Sequence, residues 1–352
     1  MTTVTLHARL VGAGHPCFVI AEAGVNHNGD PALAHTLIDA AVDTGVDAVK
    51  FQTFSAERLV ARQAPKAAYQ RQHTPAGESQ LEMLKRLELT PDVHRELMDH
   101  CRDKGVIFMS TPFDEESADL LEALGVCAYK ISSGDVTNTP FLRHIATKNK
   151  PVILSTGMAD LDEVQTAVDA IAAAGNHQLI VLHCVTNYPA DPGDSNLRAM
   201  GTMAARLGVS VGWSDHTPGN AVALAAVAMG ACVVEKHFTL DRSLPGPDHQ
   251  ASLLPGELRA LVDGIRSVEA ALGDGVKRPR ASEMPNLPIA RKSLHWRRAL
   301  RSGASLAAGD FIALRPGVGM PPAAVSSLIG RVLARDVTGG RIVDDADFAP
   351  RP

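Results

Sequence analysis

Nine residues of this sequence have types suited to chemistry, and each stands at or just beyond the end of a short apolar run: Glu22, Lys50, Thr111, Lys130, Ser133, Ser155, Ser214, His216 and His237. Two lysines and four hydroxyls converging on one point would surround a phosphate and a carboxylate carried by a single small molecule. His216 and His237 close consecutive runs, so their imidazoles could share one cation. Two ligands leave several positions open for water and substrate oxygen, which suits Mn2+, or Mg2+ or Co2+, acting as a Lewis acid better than a closed zinc cage. Glu22 could orient a water or move a proton. Each residue alone has a plainer reading. A buried lysine can serve a structural ion pair, a histidine can be a satisfied core group, and Glu22 can bridge to Lys50 or Lys236. It is the convergence of charges that implies a charged ligand, because charged groups in a protein interior are costly unless paired or meeting one. Lys130 alone would also meet the requirement of a Schiff-base aldolase.

The elements that must position these residues are eight runs, Cys17–Gly24, Val46–Phe54, Val106–Pro112, Ala128–Asp135, Pro151–Gly157, Leu179–Tyr188, Val209–His216 and Cys232–Leu240. Each is uniformly apolar, as a parallel strand buried on both faces should be. The segments between them keep helical period: Leu33, Leu37, Ile38 and Ala41 share one face, as do Val93, Leu97 and Cys101. Gly45, Gly105, Gly125 and Gly175 stand where left-handed helix caps are wanted. The first run lacks a following GxGxxG, and polar residues close nearly all the runs, not those at a single switch point. The expectation is an α/β fold, a (β/α)8 TIM barrel over residues 1–275, with its site at the C-terminal ends of the strands. Residues 276–289, rich in Pro, Arg and Ser, read as a linker. Residues 290–352 read as a small β-rich domain with short pieces at Ala299–Leu300, Phe311–Arg315, Val332–Asp336 and Arg341–Val343, marginal by itself at about 60 residues.

Composition narrows the class. In 352 residues, 34 Lys and Arg against 39 Asp and Glu give a net charge of −5 without a long block of either sign, which argues against a nucleic acid or membrane partner. Five widely spaced cysteines without a CxxC pair indicate neither a disulfide framework nor a thiolate zinc site. No leader-like start and no apolar run near the roughly 20 residues of a membrane span is visible, so a cytoplasmic protein is expected.

The runs Glu22-Ala23-Gly24-Val25-Asn26-His27-Asn28-Gly29, Lys50-Phe51-Gln52-Thr53, Ser214-Asp215-His216-Thr217 and Glu235-Lys236-His237-Phe238-Thr239-Leu240 resemble motifs of the sialic acid synthases. Gly246-Pro247-Asp248-His249 with Ala251-Ser252-Leu253 resembles the following family loop. Arg315-Pro316-Gly317-Val318-Gly319 resembles the signature of the C-terminal SAF (antifreeze-like) domain. The resemblance implies an enzyme that condenses phosphoenolpyruvate with an N-acylated amino sugar, working as a domain-swapped homodimer. By position, Lys50, Thr111, Lys130, Ser133, Ser155, Asn187 and Ser214 match residues that hold phosphoenolpyruvate. Gln52, Tyr188, Asp248 and, from the other chain, Arg315 match sugar-contacting residues. His216 and His237 match the metal ligands, and Glu22 matches the catalytic carboxylate. His73 falls where Asn is usual beside the sugar, and Asp135 where several members have Glu. The expected acceptor is N-acetylmannosamine, giving N-acetylneuraminate. The alternative is a 2,4-diacetamido-trideoxy hexose giving legionaminic acid. Asp248-His249 followed by Ala251-Ser252 resembles these two branches more than the pseudaminic one.

Overall fold

The computed structural model describes residues 3–67, 70–71, 74 and 77–350. The chain opens with an antiparallel hairpin, β1 (Val4–Leu6) and β2 (Arg9–Val11), which the sequence reading does not anticipate because three-residue strands carry too little pattern. All eight apolar runs then form strands: β3 (Phe18–Gly24), β4 (Ala48–Thr53), β5 (Ile107–Pro112), β6 (Tyr129–Ile131), β7 (Val152–Ser155), β8 (Leu179–Cys184), β9 (Ser210–Asp215) and β10 (Val233–His237). They make one sheet in the order β5-β4-β3-β10-β9-β8-β7-β6, its neighbours parallel. With a helix after almost every strand, this is the expected TIM barrel.

Strand alternation explains why the barrel is greasy at one end and charged at the other. Ile20, Ala48, Met109, Ala128, Ile153, Leu182 and Val233 form one buried cluster with Val4, Leu6 and Val11 of the hairpin. Two residues further along the same strands, on the same face, stand Glu22, Lys50, Thr111, Lys130, Ser155, Cys184 and Glu235. The hairpin therefore closes the N-terminal end, and the apolar layers lie beneath a polar layer that forms the floor of the mouth.

The helices cover the outside as their spacing requires. Asp30 accepts from Ala32 N at 2.8 Å to start the helix Pro31–Asp43, which buries Ala34, Leu37, Ile38 and Ala41. Thr90 caps the helix Pro91–Lys104, and Gly105 ends it at φ 75°, a left-handed conformation that glycine adopts without strain. Among the described residues no helix is long and apolar enough to cross a membrane.

The chain divides into two compact units, 1–273 and 274–352. The segment read as a linker is not featureless, since it carries a 3-10 stretch, Ala281–Asn286, and the one-turn helix Leu287–Ala290. The second unit has its own core around Trp296, Phe311, Leu333 and Phe348. Of its expected β pieces, Phe311–Leu314 becomes β12, paired with an unanticipated β11 (Ser293–Trp296). The others contribute single bridges, such as Leu300 with Val337 and Ser305 with Val332. The buried Asp347 organises the unit, accepting from Trp296 Nε1 at 3.1 Å and Arg335 Nε at 2.8 Å and pairing with Arg341.

Candidate active site

The polar layer of the barrel lines a cavity of about 380 Å3 at the C-terminal ends of the strands, large enough for a small metabolite. Glu22, Lys50, Gln52, Thr111, Lys130, Ser133, Ser155, Tyr188, Ser214, His216, His237 and Asp248 all face it. Asn187 does not. It stands exposed, with Oδ1 accepting from the Tyr188 backbone N at 3.2 Å, which turns the side chain back along its own loop. Asp135 is likewise absent from the lining and accepts from Asn138 Nδ2 at 3.2 Å. His73 lies outside the described residues. Arg315 belongs to the second unit, where its Nε donates to Ala290 O at 2.9 Å.

At the floor, two lysines and two carboxylates form one buried network. Lys50 Nζ pairs with Glu22 Oε2, donates to Thr111 Oγ1 at 3.0 Å and lies 3.7 Å from Glu235 Oε2. Lys130 Nζ donates to Ser155 Oγ at 2.6 Å and to Ile131 O at 3.2 Å, and lies 3.6 Å from Glu235 Oε1. Ser214 Oγ completes the set, donating to Glu235 Oε1 at 3.3 Å. The ion pair that was the plainer reading of Glu22 is thus present, inside the cavity that the chemistry would need. Glu235 is the residue that sequence reasoning left without a role. It stands two positions before His237, so strand alternation puts both inside, and it serves both lysines.

Burial and neighbours tune these groups in opposite directions. Burial drives the Glu22 carboxyl up to about 7 against the pull of Lys50, helped by repulsion from Glu235. Glu235 meets the same burial penalty, but Lys130 and Lys50 overcome it and hold the group below the usual carboxylate range. One carboxylate is therefore a fixed anion, and the other can exchange a proton near neutral pH. Burial depresses Lys130, while for Lys50 it is outweighed by Glu22 and Glu235, which raise the ammonium. Asp248, also buried, is pushed up to about 6.

Above the floor, Tyr188 packs against both histidines, with ring centroids 4.2 Å from His216 and 5.5 Å from His237. The two imidazoles are 5.5 Å apart. Burial lowers both, His216 to about 4, so both are neutral. His216 Nδ1 lies 2.6 Å from Val185 O and must be the donor to that carbonyl, which leaves Nε2 with a free lone pair. His237 Nδ1 is buried without a hydrogen-bond partner and lies 3.9 Å from Asp248 Oδ2. Neutral imidazoles and an orphaned ring nitrogen fit a divalent cation. Among the described residues no group of three or more His, Cys, Asp or Glu is arranged for one, so a cation here would have two protein ligands and an open remainder.

On the other flank Ser133 accepts from Gly157 N at 2.9 Å and lies 3.2 Å from Cys184 Sγ. A Cβ at Gly157 would meet Thr186 Oγ1 at 2.1 Å, so only glycine permits this close approach. Cys184, another lining residue not foreseen, is one of four buried cysteines, and all five are free thiols.

The NeuB family profile matches residues 37–277. An N,N'-diacetyllegionaminic acid synthase of Legionella pneumophila is 49% identical over 333 residues, covering 94% of this chain and 94% of that protein. One of Campylobacter jejuni is 45% identical over 320 residues, covering 90% and 96%. Among solved structures, an N-acetylneuraminic acid (sialic acid) synthetase from Leptospira borgpetersenii, in complex with citrate, superposes with a TM-score of 0.73 at 35% identity, covering 81% of this chain and 95% of that one.

Proposed function

Because this chain belongs to the NeuB family, we propose that it condenses phosphoenolpyruvate with 2,4-diacetamido-2,4,6-trideoxymannose and water to give N,N'-diacetyllegionaminic acid and phosphate. N-acetylmannosamine, the acceptor expected first from the sequence, gives way here because the relatives at 49% and 45% identity are both named as diacetyllegionaminic acid synthases. The observation that carries the reaction type is the base of the cavity, where two lysines, hydrogen-bonded to Thr111 and Ser155, share the buried Glu235 carboxylate in a space of metabolite size.

In this reaction C3 of phosphoenolpyruvate bonds to the aldehyde carbon of the open-chain sugar, whose oxygen takes up a proton. Water adds at C2, and the C2–O bond to the phosphate breaks, releasing inorganic phosphate and leaving the keto acid. Lys130, Ser133, Ser155 and Ser214 hold the anionic groups, with Lys50 and Thr111 opposite. Lys50 reaches the ligand as its pairing with Glu22 loosens, and the two ammonium groups face the charge that leaves as phosphate. Glu22, with its carboxyl near 7, accepts the proton of the water that adds at C2. Lewis-acid polarisation of the aldehyde oxygen is the chemistry that a divalent cation, Mn2+ or alternatively Mg2+ or Co2+, would supply when held by His216 and His237. Gln52, Tyr188 and Asp248 line the cavity where the sugar would lie. The assignment of Asn187 and His73 to the ligands, and of Arg315 to the acceptor site of a second chain in a homodimer, rests on the resemblance of their sequence surroundings. For Arg315 the test is to mix inactive Arg315→Ala and Glu22→Ala chains, which restores activity only if one chain completes the site of the other.

The lowered Lys130 ammonium also suits a Schiff-base aldolase. Incubation with pyruvate and borohydride separates the two reactions. A covalent adduct at Lys130 would favour the aldolase, and acceptor-dependent phosphate release without an adduct supports the synthase.

A further inference from the structure

Besides the imidazoles, the ends of β9 and β10 carry a pair of charges that the proposed reaction does not use. Strand alternation turns Ser214 and Glu235 towards the cavity and Asp215 and Lys236 to the other face, among Trp213, Val234 and Phe238 and the covering helices. There Lys236 Nζ donates to Asp215 Oδ2 at 2.6 Å, with side chains 1% and 0% exposed, and the two residues are direct partners in the register of the strands. Thr217 closes the set. Its N and Oγ1 donate to Asp215 Oδ1 at 3.0 and 2.8 Å, and its carbonyl accepts from Lys236 Nζ. His216 and His237 each follow directly after a member of the pair.

Two charges so deeply buried add little net stability, and uncharged residues of similar size could fill the same space. The pair does fix the spacing of two strand ends, and the two rings need that to different degrees. His216 Nδ1 is anchored on Val185 O at 2.6 Å, whereas His237 Nδ1 has no hydrogen-bond partner, so the place of the His237 ring follows from its backbone and from packing against Tyr188. This inference rests on the cation site proposed above. We infer that Asp215 and Lys236 are positioning residues, which hold His216 and His237, with ring centroids 5.5 Å apart, ready to share one divalent cation. Neither faces the cavity, so they act through the backbone of β9 and β10 and touch no ligand. Groups outside the ligand set commonly change metal affinity by about tenfold to a hundredfold when they are removed.

The test is calorimetric titration of the full chain with Mn2+, free of substrates, in the double variant Asp215→Asn, Lys236→Met. It removes both charges together, keeps the side-chain volumes similar and leaves an oxygen to accept from Thr217, so the fold should be kept. The Kd for Mn2+ should rise about tenfold to a hundredfold. The Kd for inorganic phosphate, measured without metal, should stay close to that of wild type, because the floor of the cavity is untouched. Asp215→Glu keeps both charges and lengthens the link by one methylene. Its Mn2+ affinity should also fall, and it decides the matter if the double variant does not fold. Wild-type Mn2+ affinity in the folded double variant, or in Asp215→Glu where the double variant does not fold, overturns the positioning role while the histidines stand as ligands. So does an equal loss of phosphate affinity, the mark of a general loosening. No saturable Mn2+ site in the wild type overturns the cation site itself, and the positioning role with it.

Discussion

Lys50 Nζ is ion-paired with Glu22 Oε2 at the bottom of the cavity, with side chains only 3% and 2% exposed. A buried pair of this kind gives a structure little net stability, because desolvating both charges offsets their attraction. Its place at the convergence of strand ends is where the proposed reaction needs a proton held next to an anion.

Glu22→Gln keeps the shape of the side chain and removes its proton exchange. Lys50 retains Glu235 at 3.7 Å, so the chain should still fold. Phosphate release should fall by about 10²–10⁴-fold, with the thermal unfolding midpoint within a few degrees of wild type. A rate close to normal removes Glu22 from the mechanism.

Glu235→Gln takes away the carboxylate that both lysines share. The expected loss of stability is about 3–5 kcal/mol, the cost of breaking a buried charge pair from one side. Part of it should return when inorganic phosphate is added, because the ligand supplies the missing negative charge. Thermal unfolding with and without phosphate checks this, and an equal phosphate-induced rise in wild type and variant would show that Glu235 does not tune the anion site.

Much of this arrangement was legible in the sequence. Strands buried on both faces are uniformly apolar, so the eight barrel strands stand out, and their polar last residues mark the mouth of a barrel. Glu235 escaped because its role depends on the register of β10 against its neighbours, which brings together residues more than a hundred positions apart. Alternation from His237 was the one local signal for it. Asn187 belongs to the ligand set by resemblance, and in this structure its Oδ1 accepts from the next backbone N–H. The strands of the second unit were too short to show a period.

His27 offers a pH test outside the charged floor. It is buried, with Nδ1 accepting from Gly29 N at 3.0 Å, and burial lowers its imidazole to about 4. Since the unfolded chain binds this proton near 6.5 and the folded chain does not, stability is lost as pH falls from about 6.5 towards 4. His27→Asn keeps an acceptor near the position of Nδ1 and removes the titration. The wild type should therefore lose more of its unfolding midpoint than the variant between pH 7 and pH 4.5, and parallel curves would contradict the neutral buried state.

Metal binding can be read without turnover. Calorimetric titration with Mn2+ should show a saturable site in the wild type that is weakened by at least tenfold in His237→Ala and in His216→Ala. The same affinity in all three proteins would refute the ligand assignment.

The central claim is that this chain joins phosphoenolpyruvate to an acceptor of legionaminic type. The most direct measurement is phosphate release from phosphoenolpyruvate by the full chain with Mn2+, comparing 2,4-diacetamido-2,4,6-trideoxymannose with N-acetylmannosamine at equal concentration. The account predicts acceptor-dependent release with a higher kcat/KM for the diacetamido sugar. A higher kcat/KM for N-acetylmannosamine would contradict the acceptor assignment, and release with neither sugar would contradict the reaction itself.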